Sequence, residues 1–239
     1  MNFFDKYTSF YDMNIEQNNY KYHHSYRVME NMEFIAKSLL LEEKDIELAK
    51  CIGILHDIGR FDQYLLFQSF DDKNLDHGDY GEQVLKYENA LKNYNIDEKD
   101  YKVVYTAIRN HNKYSIETGL TERELLFSKM IRDADKLDIL YALGRPELKN
   151  IIREDNGGIT KELNDMFYEN IPLMNKFVNS LNDNIVLLLA FPYDINFDIS
   201  LKIIKDKKYY EKIYNRLENK NIFTNYLTHI EEYIKERVD

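Results

Sequence analysis

The stretch CIGILHDIGRF, residues 51–61, decides the fold. It closes a segment, from about Asp45 to Ile58, in which apolar residues occur on nearly every side of a helix. A helix of that kind belongs in the centre of a domain, and its Gly53 would let a neighbouring element approach closely. Because His56 and Asp57 end this helix, two ionisable side chains are predicted to lie in the core.

Helical periodicity recurs along most of the chain. There are only 8 Gly and 3 Pro, which favours long helices over a sheet-rich fold with many tight turns. The other predicted helices run from about His24 to Leu40, from about His77, from Asp97 to about Asn110, and from a Thr121–Glu124 capping box to a break at Gly144 and Pro146. Residues 150–239 predict more helix around an irregular stretch, FPYDINFDIS. The predicted fold class is therefore all-α.

The chain has 239 residues and a formal net charge of −10. Its length fits one domain, or one domain with a sizeable extension. The negative charge opposes the sequence-independent attraction to phosphate on which most nucleic-acid binding depends, so we do not expect a duplex partner. An anionic ligand would have to be held by a local cluster of cations or by metal.

The composition also predicts a soluble, cytoplasmic protein without a membrane partner. The single cysteine, Cys51, lies in an apolar run and is expected to be a buried free thiol. The first residues lack the basic and apolar segments of a signal peptide. The most apolar run, Ile185 to Phe191, is much too short to cross a bilayer. The oligomeric state is not predicted.

Ionisable residues interrupt the apolar faces of five predicted helices. They are His24, the pair His56-Asp57, His77, His111 and Asp135. Taken singly, a histidine on an apolar face is more often a hydrogen-bonded core residue than a ligand, and an aspartate near a helix end is more often a cap. Together, they place six ionisable groups from five helices in the same core.

Burial of the Asp57 and Asp135 carboxylates requires a compensating positive charge. An unpaired buried carboxylate costs several kcal/mol even after relaxation. No lysine or arginine is predicted on the same faces to neutralise the whole set. A divalent cation would satisfy it, because imidazole and carboxylate are natural ligands for Zn, Mn, Fe, Co or Ni. The pattern therefore favours a metal site over a coincidence of core polar residues.

The order H…HD…D and its local contexts resemble the HD-domain superfamily of metal-dependent phosphohydrolases. The contexts are HSYRV at 24–28, LHDIGRF at 55–61 and RDADKLD at 132–138. The resemblance covers about residues 20 to 145. It implies an HD-domain helical bundle in residues 1–150, with residues 150–239 as a C-terminal helical extension packed on that core. It also implies metal ligation by His24, His56, Asp57 and Asp135.

Two further histidines leave the number of metal ions open. His77 in HGDYG and His111 in IRNHNK are similar to the ligands of the superfamily's two-metal branches. Those branches include bis(nucleosyl) tetraphosphatases and cyclic-nucleotide phosphodiesterases, but the GYP tripeptide of cyclic-di-GMP phosphodiesterases is absent. With two ions, His77 and His111 would be ligands. With one ion, they would hold substrate phosphate. We favour two ions.

The resemblance implies that metal-activated water attacks phosphorus in a small phosphorylated substrate of the nucleotide type. Asp57 would bridge two ions, and His77 or His111 would protonate the leaving oxygen. Arg60 and Lys136, which follow the metal-ligand motifs, would bind phosphate together with His111. A nucleotide monophosphatase or triphosphohydrolase is the enzymatic alternative to a diesterase. A catalytically silent regulatory module that keeps its metal is the non-enzymatic alternative.

Overall fold

A computed structural model describes residues 2–147, 152–155 and 157–239. Over these residues the chain forms helices and no strand, so the predicted all-α class is confirmed. The contacts divide it into two compact units, Met1–Asp135 and Lys136–Asp239. The predicted domain boundary at residue 150 lies outside the described residues, and the packing of the extension on the core stays a prediction.

The first unit is a bundle of α-helices joined by short turns and 3₁₀ segments. Its helices are α1 (Phe3–Thr8), α2 (Glu16–Ser38), α3 (Glu43–Leu55), α4 (Gly59–Phe67), α5 (His77–Tyr87), α6 (Tyr101–Asn110) and α7 (Glu122–Leu143), the last of which continues into the second unit. Short 3₁₀ helices lie at Ala90–Asn93 and Glu98–Asp100. The core of this unit is apolar and includes Val28, Met32, Ile52, Leu55, Phe61 and Ile108.

The second unit is also helical. It contains α8 (Lys161–Tyr168), α9 (Leu181–Leu189), α10 (Asp198–Asp206), α11 (Tyr209–Tyr214) and α12 (Lys220–Val238), with 3₁₀ helices at Asn175–Phe177 and Phe191–Asp194. Leu163, Phe167, Val186, Leu201 and Ile230 lie in its core. None of the helices in the described ranges combines the length and the apolar character that a membrane span requires.

Helix α3 packs closely along α2 through Gly53. An added Cβ at Gly53 would lie 2.7 Å from the Cα of Met29 and 3.1 Å from Cγ of Met32. Such distances are shorter than ordinary van der Waals contact, so no side chain fits there without moving α2. This confirms the prediction that Gly53 admits a close neighbour.

Some helix ends follow from local sequence and others do not. The predicted start of the first long helix near His24 is wrong, because α2 begins at Glu16. Thr121 and Glu124 form the predicted capping box at the start of α7, because the backbone N–H of Thr121 donates to the Glu124 carboxylate at 2.8 Å and that of Glu124 donates to Thr121 Oγ1 at 3.2 Å. The predicted end of α3 at Ile58 is wrong, since α3 ends at Leu55 and α4 begins at Gly59. An added Cβ at Gly59 would lie 2.5 Å from the carbonyl oxygen of His77. The chain therefore turns at residues 56–58, close to the start of α5.

A carboxylate that accepts three tyrosine hydroxyls joins α1 to the rest of the first unit. Asp62 of α4 accepts from Tyr7 and Tyr11 at 2.7 Å and from Tyr80 of α5 at 3.0 Å. Helix α1 was not predicted from the sequence, because it is short and its position depends on these tertiary contacts. Many of the tyrosines thus have packing and hydrogen-bonding roles.

Gly53→Ala tests the close approach of α2 and α3. We expect the free energy of unfolding to fall by about 1–3 kcal/mol, because the added methyl group would force the two helices apart. Urea denaturation followed by circular dichroism measures this loss. Gly158→Ala is the matched control, since nothing lies within 4 Å of an added Cβ there, and its stability should stay within about 0.5 kcal/mol of the unchanged protein. Equal stability of the two variants would contradict the close approach.

Candidate metal centre

Six buried or half-buried side chains converge inside the first unit. They come from five helices or from the residues that end them. His24 lies in α2, His56 and Asp57 follow α3, His77 opens α5, His111 follows α6, and Asp135 lies in α7. The structure thus brings together all six residues that the sequence analysis predicted as metal ligands, and their role as ligands stays a prediction.

One group of donors consists of His24, His56, Asp135 and one oxygen of Asp57. The Nε2 atoms of His24 and His56 lie 3.2 Å apart. Asp57 Oδ2 lies 3.4 Å from each of these two nitrogens. Asp135 Oδ1 lies 3.1 Å from His24 Nε2 and 3.8 Å from His56 Nε2. We call this set the His24–His56 group.

A second group lies on the other oxygen of the same carboxylate. The Nε2 atoms of His77 and His111 lie 2.9 Å apart. Asp57 Oδ1 lies 3.3 Å from His77 Nε2 and 3.5 Å from His111 Nε2. We call this set the His77–His111 group. Each oxygen of Asp57 therefore faces its own pair of imidazoles.

Hydrogen bonds on the outer side of three imidazoles fix their orientation. Nδ1 of His56 donates to the carbonyl oxygen of Gly53 at 2.8 Å, and Nδ1 of His111 donates to that of Ile108 at 2.6 Å. Nδ1 of His77 lies 2.6 Å from a carboxylate oxygen of Asp72. A carbonyl oxygen can only accept, so neutral His56 and His111 carry their proton on Nδ1 and present the Nε2 lone pair to the centre.

Burial keeps His111 neutral, whereas neighbouring groups keep the carboxylates of Asp57 and Asp135 charged. Desolvation by burial lowers the pKa of His111 to about 4, so its imidazole is neutral at neutral pH. Burial alone would raise the pKa of Asp57, but the ammonium of the neighbouring Lys21 holds it well below its ordinary value. Burial opposes ionisation of Asp135 as well, yet contact with His24 keeps its pKa low.

The donor set fits a divalent transition metal. In the His24–His56 and His77–His111 groups, pairs of imidazole nitrogens face each other at hydrogen-bond distance, although neutral His56 and His111 have no Nε2 proton to donate. An ion between the donors of each group would accept these lone pairs and compensate the buried carboxylates. The two sets of mutually close donors, His24–His56–Asp135 and His56–Asp57–His111, have the composition of such sites.

Arg60, a predicted phosphate-binding residue, lies beside the centre, and its role in binding phosphate stays a prediction. Its Nε lies 3.7 Å from Asp57 Oδ1. Its Nη1 donates to Gln63 at 2.7 Å, to the carbonyl oxygen of Phe70 at 2.8 Å and to Asp72 at 3.0 Å. The side chain is thus held in place by α4 and by the loop that precedes α5.

Lys136, the other predicted phosphate-binding cation, belongs to the second unit. Its ammonium forms an ion pair with Asp194 at 2.6 Å and lies 5.7 Å from the centre of the Phe191 ring. The residue therefore has a partner within its own unit. A role in substrate binding stays a prediction.

Two residues at the centre escaped the sequence analysis. Lys21 lies one helical turn before His24, and its Nζ is 2.6 Å from Asp57 Oδ2. This contact corrects the prediction that no lysine or arginine lies on the same faces, and the i, i+3 spacing from His24 was the available signal. Asp72 lies in an irregular loop, where no periodicity marks a side chain as inward-facing.

Arg132 holds the end of α6, and with it His111. Its guanidinium is buried and donates to the carbonyl oxygens of Asn110, at 3.1 Å, and of Lys113 and Tyr114. The Asn110 carbonyl is at the end of α6, where carbonyl groups lack partners within the helix, and the other two belong to the loop that follows His111. Arg132 thus helps to fix the position of His111 from outside the centre.

A comparison with known protein families identifies one that matches the first unit. The family model of the HD domain matches residues 22–140, a range that contains all six converging side chains. The chain has no significant match among curated proteins or among solved structures.

Asp72→Asn tests the orientation of His77. Contact with His77 holds the pKa of Asp72 below its ordinary value against the effect of burial, so the group is a charged acceptor for the Nδ1 proton. Loss of that charge should weaken metal binding about 10–100-fold, measured by calorimetric titration with Mn²⁺. Asp71→Asn, which changes the charge of an exposed neighbour in the same loop, is the control. Equal metal affinity of both variants and the unchanged protein would contradict this role for Asp72.

Proposed function

Because this chain belongs to the HD-domain family of metal-dependent phosphohydrolases, we propose that it hydrolyses a phosphoester or phosphoanhydride bond. The observation that carries the proposal is the shared carboxylate of Asp57, whose two oxygens face separate pairs of imidazoles. A purely structural site would need only one closed set of ligands. The arrangement here supports two ions, with His24, His56 and Asp135 toward one and His77 and His111 toward the other.

A bound divalent ion would supply two kinds of chemistry, a lowered pKa for a coordinated water and charge compensation on the phosphoryl oxygens. The protein's own contribution is orientation. The backbone carbonyls of Gly53 and Ile108 fix His56 and His111 with their lone pairs toward the centre, and Asp72 does the same for His77. Burial excludes bulk water from these groups, so their electrostatic interactions are stronger than at the surface.

The substrate we propose is a small phosphorylated molecule of the nucleotide type, bound partly by Arg60. This specificity rests on the sequence resemblance, and a cytoplasmic location likewise stays a prediction. Under the two-ion reading, His77 and His111 are ligands. Under a one-ion reading, His111 would hold phosphate, and His77 would protonate the leaving oxygen from Nε2 in the imidazolium form, which the Asp72 carboxylate would stabilise. The metal would be Mn, Fe, Co, Ni or Zn, because the imidazole and carboxylate ligands suit all of these.

Asp57→Ala tests the proposal most directly. Turnover of p-nitrophenyl phosphate and of its bis ester in the presence of Mn²⁺ should be lost, together with metal binding, because both groups of donors lose their common oxygen ligand. Asp71→Ala is the control and should leave both properties unchanged. Wild-type protein that binds metal yet hydrolyses neither ester would contradict the proposal and favour a silent metal-binding module.

His77→Ala tests the number of ions. We expect metal content near two ions per chain in the unchanged protein and near one in the variant, because only the His77–His111 group loses a ligand. Inductively coupled plasma mass spectrometry on protein purified without chelator gives the count. His229→Ala, which removes a histidine hydrogen-bonded to Asn170 in the second unit, should leave the content unchanged. One ion in all three proteins would contradict the two-ion reading.

A further inference from the structure

Lys21 lies at the centre, although it is not one of the six predicted metal ligands. Its Nζ lies 2.6 Å from Asp57 Oδ2, and its side chain is only 15% exposed. The same oxygen faces His24 and His56 at 3.4 Å. A metal ion in the His24–His56 group would therefore use the oxygen with which Lys21 pairs.

A metal ion at this oxygen would weaken the ion pair between Asp57 and Lys21. A divalent cation shares the negative charge of the carboxylate, and like charges at short distance repel. A mostly buried ammonium cannot remain without a compensating anion, because desolvation of a lone charge costs several kcal/mol. Lys21 thus needs another anionic partner close to the metal centre when metal is bound.

Arg60 provides a second cation at the same carboxylate. Its Nε is buried, has no hydrogen-bond partner among the described residues, and lies 3.7 Å from Asp57 Oδ1. The ring of Phe70 keeps both cations in place, because Lys21 Nζ lies 5.6 Å and Arg60 Cζ lies 5.4 Å from its centre. The Nε–H group of Arg60 therefore lacks an acceptor among the described residues. Lys21 shares the Phe70 ring with it, and the acceptor of Lys21, Asp57 Oδ2, would bind metal.

We propose that Lys21 and the Nε–H of Arg60 form a binding subsite for a dianionic phosphoryl group. Lys21 pairs with Asp57 in the metal-free protein and with a phosphoryl oxygen in the metal-loaded protein. The substrate class is then a phosphomonoester or a terminal phosphate, and an internal phosphodiester is disfavoured. This inference rests on the proposed function, because it places the substrate at the same centre.

The formal charge of the centre supports a dianion. Among the contacts described above, the charged groups at the centre are the carboxylates Asp57, Asp72 and Asp135 and the cations Lys21 and Arg60, and these five together carry −1. One divalent ion changes this to +1, and two ions change it to +3. In both cases a doubly charged phosphate monoester gains more electrostatic energy than a singly charged diester.

Lys21→Met tests the exchange of partners by two binding measurements. We expect metal-loaded Lys21→Met to bind orthophosphate about tenfold more weakly or worse, as for loss of one charge-assisted contact. Binding of Mn²⁺ itself should stay equal or become tighter, because a competing cation has been removed. Isothermal titration calorimetry measures both. A variant that merely damaged the structure would lose affinity for both ligands, and that result, or unchanged orthophosphate affinity, would overturn the proposal.

Two further variants keep this test interpretable. Lys21→Arg retains the positive charge and should restore orthophosphate binding to within about threefold of wild type. Lys50→Met removes a lysine of α3 that pairs with Glu47 at 2.7 Å, and it should change neither affinity. Failure of Lys21→Arg to bind orthophosphate while it still binds metal would count against a charge-based role.

The preference for a dianion is tested with two inert ligands. At a pH above the second pKa of phosphate, metal-loaded wild type should bind orthophosphate at least about tenfold more tightly than dimethyl phosphate. The substitution Lys21→Met should reduce the difference in affinity between orthophosphate and dimethyl phosphate. Equal affinities in wild type would overturn the subsite, even if the protein hydrolyses esters. The expected affinities without ester hydrolysis would support the subsite while the proposed function fails.

Discussion

The carboxylate of Asp57 is the constraint on which the first unit depends. This carboxylate is buried. Lys21 pairs with one of its oxygens, and each oxygen faces two imidazoles at 3.3–3.5 Å. A charge in that position requires several partners at defined distances. The helices are placed accordingly, because His56, His77 and His111 all lie at helix ends, where a small shift of the backbone would move the imidazole out of range.

Much of this arrangement could be predicted from the sequence because periodicity reports which face of a helix is buried. His24 and Asp135 continue apolar faces of α2 and α7, so their inward direction followed from spacing alone. The capping box at Thr121 likewise depends on residues that are adjacent in the chain. Interactions between residues that are close in the chain can be predicted without knowledge of the fold, and the all-α class was predicted from them.

The parts that escaped prediction depend on tertiary contacts. Lys21 lies before the predicted start of the helix near His24, and it shares a face with His24 only because α2 begins at Glu16. Asp72 lies in an irregular loop and becomes relevant only because α4 and α5 bring Arg60 and His77 to it. Lys136 likewise pairs with Asp194, a contact that its position after the RDAD motif did not indicate, and its predicted role in phosphate binding stays a prediction.

The connection between α4 and α5 has a consequence for sequence variation. Loops usually tolerate insertions and deletions, because their backbone makes few contacts that depend on length. Here Asp72 reaches Arg60, Gln63 and His77 from the middle of the connection. A residue added or removed on either side of Asp72 would pull the carboxylate away from one of these partners. Descendants of this chain that keep the centre should therefore vary in composition along this connection while its length stays fixed.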